Sequence, residues 1–138
     1  MTTTILNDVK VAIDNAKLYV EVDASSSVLL YQWKGHILDD EAKAGFLQII
    51  DLIKKNHITN VVADLFKFKG GTVETAKWVG EVISEKMKAA GVEKVAISLP
   101  ESSFGEFSNR IALGEKFVSL LNVEKFTSAK DAYAWFDA

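Results

Sequence analysis

Two short apolar segments separated by a helical pattern constrain the fold of this chain more than any other feature. Residues 61–65 and 95–99 are almost entirely apolar, and residues 72–90 between them carry apolar side chains at helical spacing. Gly91 then stands where a glycine commonly closes a helix. A strand, a helix and a strand in this order form a right-handed crossover with the two strands parallel. This part of the chain therefore predicts an α/β fold.

The N-terminal part predicts an antiparallel hairpin. Residues 17–22 alternate between apolar and polar side chains, residues 28–34 form a second such segment, and the polar link between them is short. Residues 9–14 predict a further short strand. Together with the crossover, this predicts a single domain over residues 1–138, with a mixed sheet of four to six strands and three to four helices.

Three further helices follow from the apolar spacing. The acidic cluster at 39–41 opens a helix that is predicted to end near Asn56, because carboxylates suit the first turn of a helix. A helix over about 104–121 carries two neighbouring apolar stripes, one of Phe107, Ile111, Gly114, Val118 and Leu121 and one of Leu113, Phe117 and Leu120. After an edge strand near 123–126, Ser128 is predicted to cap the last helix.

Composition excludes several classes of function. The net charge is −3 and Arg110 is the sole arginine beside 15 lysines, which argues against a nucleic-acid surface. The chain contains no cysteine, and His36 and His57 lie at no spacing typical of a triad or a zinc site. The acidic cluster is explained by the helix dipole. We therefore expect no metal, no cofactor and no enzymatic activity.

The first residues lack the cationic start and apolar core of a secretory signal. No apolar run approaches the roughly 20 residues of a membrane-spanning helix. A cytoplasmic protein without a membrane span is expected.

The turn after residue 65 is the first candidate site. Ligands collect at the carboxyl ends of parallel strands, and helix N-termini bind anions. The candidate residues for an anion or other ligand are Asp64, Lys69, Gly70, Gly71 and Thr72, together with Glu101, Ser102 and Ser103 after the next parallel strand. The alternative is purely local: Asp64 holds the loop, Gly71 makes the turn, Thr72 caps the helix, and Ser102 or Ser103 caps the next one.

Several motifs together resemble the SpoIIAA-like or STAS group, in its uncharacterised bacterial branch. They are Trp33-Lys34-Gly35, Ala63-Asp64-Leu65, Trp78 and residues 126–135. The resemblance implies a non-enzymatic α/β domain, and its anti-anti-sigma members are phosphorylatable partners of a kinase. Thr72, or else Thr75, is nearest to their phosphoacceptor serine, but the Asp-Ser-Ser-Gly pattern is absent. A more distant resemblance to CRAL-TRIO domains implies a lipid pocket.

The second and third helices supply a candidate interaction surface. Trp78 lies roughly 150° from the centre of the predicted apolar face of its helix, so it is expected off the core. The surface candidates are Trp78, Val82, Leu113, Phe117 and Leu120. Burial of Trp78 under a loop or the third helix is the alternative. The leading hypothesis is a domain that binds a protein partner or a second copy of itself as a homodimer. The alternative is a small anionic or apolar ligand in the cleft at the strand ends.

Overall fold

A six-stranded mixed sheet forms the centre of the computed structural model, which describes residues 9–99 and 103–137. Its strands are β1 (Val9–Asp14), β2 (Leu18–Asp23), β3 (Val28–Trp33), β5 (Asn60–Asp64), β7 (Lys94–Ser98) and β8 (Asn122–Lys125), in that order across the sheet. β1, β2 and β3 pair antiparallel, whereas β3, β5, β7 and β8 are parallel. The predicted hairpin, the first strand and the parallel crossover are confirmed.

Two shorter strands, β4 (Gly35–His36) and β6 (Phe68–Gly70), form a separate parallel pair that the sequence did not predict. The Ile37 backbone N–H donates to the Gly70 carbonyl at 3.0 Å and continues this pairing. The pair joins the segment after β3 to the segment after β5. It therefore closes the edge of the main sheet where the parallel strands end.

Helices pack on both faces of the main sheet. They are α1 (Asp39–Asn56), α2 (Val73–Trp78), α3 (Ser84–Ala90), α4 (Ser103–Ala112), α5 (Glu115–Leu120) and α6 (Ala129–Phe136). The larger core lies under α1 to α5 and takes Leu29, Tyr31 and Trp33 from β3. The smaller core lies under α6 and takes Val28 from the same strand. Consecutive residues of β3 thus contribute to the two cores in turn, because successive side chains of a strand point to opposite faces of the sheet.

The second helix is interrupted by a π-helical turn, Val79–Ile83, between α2 and α3. The Ser84 N–H donates to the Val79 carbonyl, five residues back, and Ser84 Oγ donates to the Gly80 carbonyl at 2.6 Å. A π turn inserts one extra residue and so rotates the helix on either side of it. A single helical wheel drawn over residues 72–90 therefore assigns the wrong face to one end of this segment. Val73 lies on the apolar face of that wheel but is 47% exposed.

The predicted third helix is two helices, because Gly114 interrupts it. Gly114 has the extended ψ of 177° and serves as the N-cap of α5. The two predicted stripes are consequently wrong as continuous faces: Phe107 and Val118 are 48% and 52% exposed, whereas Phe117 is buried. Glycine is among the poorest helix formers, and the break reflects that preference. The predicted cap of the last helix is confirmed, since Ser128 Oγ accepts from the Asp131 N–H at 3.3 Å.

Candidate functional site

The carboxylate of Asp64 holds the turn that follows β5. Its Oδ1 accepts a hydrogen bond from the Phe66 N–H at 3.2 Å, and its Oδ2 accepts one at 3.1 Å from Nε2 of Gln32, its neighbour on β3. Gly70 makes the left-handed step with a φ of 111°, so the prediction that Gly71 makes the turn is wrong. Gly71 is instead in close contact, because a Cβ there would lie 3.0 Å from the Ile37 carbonyl oxygen. Asp64 thus has the local role proposed as the alternative.

Backbone groups predicted to hold an anion already have partners within the chain. Thr72 Oγ1 accepts from the Thr75 N–H at 3.1 Å and so caps α2, and the Gly71 N–H donates to Ser108 Oγ at 3.4 Å. Lys69 is exposed. Anion binding at this turn stays a prediction.

The second group of candidates follows β7. β7 does lie beside β5, with Asp64 paired to Ser98, as the prediction of convergence requires. Glu101 and Ser102 lie outside the described residues, and Ser103 is the first residue of α4. Their orientation toward the Asp64 turn stays a prediction.

The two threonines proposed as phosphoacceptors differ in accessibility. Thr72 is exposed, whereas Thr75 is 7% exposed and its hydroxyl donates to Asp39 Oδ1 at 2.5 Å. The hydroxyls lie 2.8 Å apart. Phosphorylation stays a prediction, and the accessible hydroxyl is that of Thr72.

A cavity of about 70 Å³ lies between the ends of β3 and β5 and the helices that cover them. Tyr31, Trp33 and Leu65 line it from the sheet side, and Thr75, Ala76 and Ala112 line it from α2 and α4. Phe46 of α1 packs against both aromatic rings, with its centroid 5.5 Å from each. The cavity thus sits at the carboxyl ends of parallel strands, where ligands bind in open α/β sheets.

Trp33, Tyr31 and Asn109 bring polar groups to the residues that line the cavity, and of these only Nε1 of Trp33 is a buried group without a partner in the described part of the chain. Nε1 of Trp33 is fully buried and makes no hydrogen bond. The hydroxyl of Tyr31 makes none to a described residue, and burial raises its pKa far above the ordinary value of 10.0. The amide of Asn109, a residue only 7% exposed, likewise makes no hydrogen bond to a described side chain or backbone group. Buried polar groups are nearly always bonded, so the unpartnered indole nitrogen of Trp33 is unusual.

Apart from Tyr31, the described residues that line this cavity carry no ionisable side chain. Asp39 accepts a hydrogen bond from Thr75 of the cavity wall, and its Oδ2 lies 3.0 Å from Lys43 Nζ. The hydrogen bond from Thr75 lowers the pKa of Asp39, and Lys43 adds to this effect. Asp39 and Lys43 therefore form an ion pair beside the cavity, and neither residue lines it.

A second depression lies on the opposite face of the sheet, under α6. It is lined by Gln32, Asp64 and Ser98 at the strand ends and by Phe126 and Ser128. Since Gln32 and Trp33 are consecutive on β3, they point to opposite faces. Asp64 and the buried cavity therefore belong to different faces of the sheet.

Of the five residues predicted for the interaction surface, one is buried and four are half-buried. Phe117 is 3% exposed and belongs to the core, so its assignment to a surface is wrong. Trp78 packs against the core, 6.4 Å from the Phe46 ring, with Lys43 Nζ 5.7 Å from its centroid. The prediction that Trp78 lies off the core is also wrong, because the π turn rotates α2 relative to α3. Leu113 and Leu120 are half-buried against the core, and Val82 is half-buried.

Gly71 and Thr72, both predicted for a ligand, line the cavity, whereas sequence reasoning missed its other residues. Tyr31 and Trp33 alternate on the core face of β3 and stand at its carboxyl end, which is a recognisable signal: two aromatic side chains with polar tips in a buried strand. Asn109 carried no such signal, because its place beside them depends on where α4 packs.

An α/β domain with its cavity at the ends of parallel strands is the class that this geometry defines. The chain has a SpoIIAA-like fold, as its motifs had suggested. It is similar over 93% of its length to the crystal structure of an uncharacterized protein from the DUF3478 family with a SpoIIAA-like fold from Shewanella loihica PV-4. The TM-score is 0.56, the sequence identity is 14%, and 91% of that chain is covered. No family model and no curated protein matches the chain.

Within the described residues, no helix combines the length and apolar character needed to cross a membrane.

Proposed function

We propose that this chain is a non-enzymatic, STAS-like domain that binds a small ligand in the cavity beneath α2 and α4. The observation that carries the proposal is the cavity of about 70 Å³ at the carboxyl ends of β3 and β5, which is lined mainly by apolar side chains. Small-molecule sites are typically apolar hollows with a few convergent polar groups.

A binding role fits the wall better than a catalytic one. Among the described residues that line the cavity, Tyr31 is the single ionisable one, and burial holds the pKa of its hydroxyl far above neutrality. General acid or base catalysis works best with a pKa near the operating pH. The wall supplies hydrogen bonds and apolar contact, which are the requirements of binding.

A cavity-filling substitution tests this function. Ala112→Leu places a larger side chain in the cavity wall, and Ala89→Leu, an exposed position on α3, is the matched control. We expect members of a panel of small uncharged molecules to raise the melting temperature of the wild type and of Ala89→Leu. A ligand at about 100 times its Kd stabilises by roughly 2.7 kcal/mol. Ala112→Leu should respond weakly or not at all.

Either of two results would overturn the proposal. One is a panel in which no molecule stabilises the wild type. The other is an equal response of Ala112→Leu and the wild type to the same molecule.

Self-association through α4 and α5 is the second candidate function. Leu99, Phe107 and Val118 are exposed to 38%, 48% and 52%. Glu106 and Arg110 form an ion pair on α4 at 3.1 Å, so both signs of charge are present on the helix that bears Phe107. Such a surface can pair with a copy of itself about a two-fold axis. Sedimentation equilibrium of the wild type and of Val118→Asp tests it, and a monomeric wild type would rule this function out.

A further inference from the structure

We infer that the depression under α6 is a second ligand site, which binds a small molecule through an ammonium group on the Asp64 carboxylate and an apolar body against the sheet. The depression and the cavity beneath α2 and α4 lie on opposite faces of the sheet. The inference therefore goes beyond the proposed function and does not depend on it. It is carried by a row of polar side chains across three parallel strands, by the charge of Asp64 and by the size of the depression.

Three polar side chains stand side by side at the carboxyl ends of β3, β5 and β7. In the register of these strands Gln32 is paired with Asp64, and Asp64 with Ser98. All three residues line the depression, and Nε2 of Gln32 donates to Asp64 Oδ2 at 3.1 Å. Val62, two residues before Asp64 and therefore on the same face, packs with Ala132 of α6 in the smaller core. The row thus lies on the α6 face, at the strand ends where open α/β sheets bind ligands.

Asp64 supplies the charge of the site. It is the one ionisable side chain among the described residues that line the depression. Within the part of the chain that the structure describes, its carboxylate accepts from two neutral donors, the Phe66 N–H and the Gln32 amide, and forms no ion pair. An ammonium group supplies the counter-charge, through hydrogen bonds stronger than those between neutral groups. The amide oxygen of Gln32 and the hydroxyl of Ser98 can accept its remaining N–H groups.

Most of the remaining lining is apolar. Leu30, Val62 and Ala96 form the next row of the sheet on the same face, as the register of the three strands shows. Phe126, in the segment between β8 and α6, lines the depression as well. Phe66 also lines it and is 51% exposed. A hydrocarbon group bound against these side chains removes apolar surface from water, which favours a ligand with an apolar body next to its ammonium group.

The volume of the depression sets the size of the ligand. It measures about 250 Å³, compared with about 70 Å³ for the cavity beneath α2 and α4. An engineered apolar cavity of roughly 150 Å³ accommodates benzene. The depression therefore has room for an aromatic ring and a short chain that bears the ammonium group. An arylalkylamine such as phenethylammonium combines the charge, the apolar body and the size.

Three probes that share a phenethyl group test the inference: phenethylammonium, the neutral 2-phenylethanol and the anionic 3-phenylpropanoate. Each is titrated into the full chain at neutral pH, while the side-chain amide of Gln32 and the backbone amide of Ser98 are followed by NMR. Asp64→Asn removes the charge and retains an acceptor for the Phe66 N–H. Asp51→Asn, at an exposed carboxylate on α1, is the matched control.

Phenethylammonium is expected to give a saturable shift of the Gln32 side-chain amide. 2-Phenylethanol should bind about tenfold more weakly, because it lacks the charge-assisted hydrogen bond. The anionic 3-phenylpropanoate should give no saturable shift, because the carboxylate repels it. Asp64→Asn should bind phenethylammonium about tenfold more weakly than do the wild type and Asp51→Asn.

Salt dependence provides a measurement on the wild type alone. An increase of the NaCl concentration from about 0.1 M to about 1 M should weaken the binding of phenethylammonium severalfold, since salt screens the attraction between the two charges. It should not weaken the binding of 2-phenylethanol.

Several results would overturn the inference. They are the lack of a saturable shift with phenethylammonium, equally tight binding of 2-phenylethanol or 3-phenylpropanoate, and undiminished binding by an Asp64→Asn variant that is folded by circular dichroism. If Asp64→Asn does not fold, phenethylammonium binding that is independent of NaCl overturns the inference. A folded Ala112→Leu should leave phenethylammonium binding unchanged. Loss of binding in that variant would place the probe in the cavity beneath α2 and α4, which overturns this inference and leaves the proposed function standing.

Discussion

The Thr75 hydroxyl on α2 donates a hydrogen bond of 2.5 Å to the Asp39 carboxylate at the first residue of α1. The bond joins two helix starts that are 36 residues apart in the chain. Both helices line the cavity, through Ala42 and Phe46 of α1 and through Thr75 and Ala76 of α2. The geometry of the cavity therefore depends on a contact between a threonine and an aspartate.

This contact makes stability depend on pH. The pKa of Asp39 is lowered in the folded state by the hydrogen bond from Thr75 and by Lys43. A carboxylate with a lowered folded pKa stabilises the fold above its unfolded pKa, and this contribution is lost as the pH falls through the folded pKa. Asp39→Asn should therefore reduce the urea midpoint near pH 6, and the difference from wild type should shrink as the pH falls below the ordinary aspartate pKa of 3.8.

Asp51→Asn, at an exposed carboxylate on α1, serves as the control and should follow the wild type throughout. A deficit of Asp39→Asn that stays constant over the whole pH range would contradict the assignment.

Gly45→Ala should displace Trp33. A Cβ at Gly45 would lie 2.4 Å from Cη2 of Trp33 and 3.0 Å from Cδ2 of Leu18. Alanine at an ordinary helix position gains roughly 1 kcal/mol over glycine, but forcing atoms into a packed core costs about 1–3 kcal/mol. We expect a net loss of stability in urea denaturation.

Ala44→Gly, at the exposed neighbouring position, measures the helix propensity of this turn separately. Increased stability of Gly45→Ala would show that the ring moves without cost.

Gly80→Ala should destabilise the π-helical turn. Its Cβ would meet the Ala112 carbonyl oxygen at 2.6 Å, and a backbone atom cannot yield as a flexible side chain does. The expected loss is about 1–3 kcal/mol in the free energy of unfolding. At Gly114 the nearest atom would be 3.4 Å away and φ is negative, so Gly114→Ala should be close to neutral. Equal effects of the two substitutions, measured by urea denaturation, would argue against a close contact between α4 and the π turn.

Phe117→Ala and Phe107→Ala should differ strongly. Phe117 is 3% exposed and packs in the larger core, whereas Phe107 is 48% exposed. Truncation of a buried phenylalanine costs about 3–5 kcal/mol, and an exposed substitution usually stays within about 0.5 kcal/mol. Urea denaturation of both variants measures the difference. A near-neutral Phe117→Ala would restore its assignment to a surface.

The sequence by itself determined the elements and their order. The alternation in β2, the apolar face of α1 and the caps Thr72 and Ser128 follow from local preferences, which are encoded within a few residues. Together with the rule for right-handed crossovers, these elements define the mixed sheet and place its strand ends at one edge. The turn at Asp64 was located in the same way.

Tertiary structure decided which side chains meet. The π turn changes the face of the second helix, so Trp78 packs against the core although a regular wheel predicts otherwise. Phe117, which was predicted for a surface, lies in the core after the break at Gly114. The cavity forms because Trp33, Tyr31 and Asn109, from elements far apart in the chain, are brought together by packing. Helix and strand periods describe one element at a time, whereas the hydrogen-bonding state of a buried indole depends on every element around it.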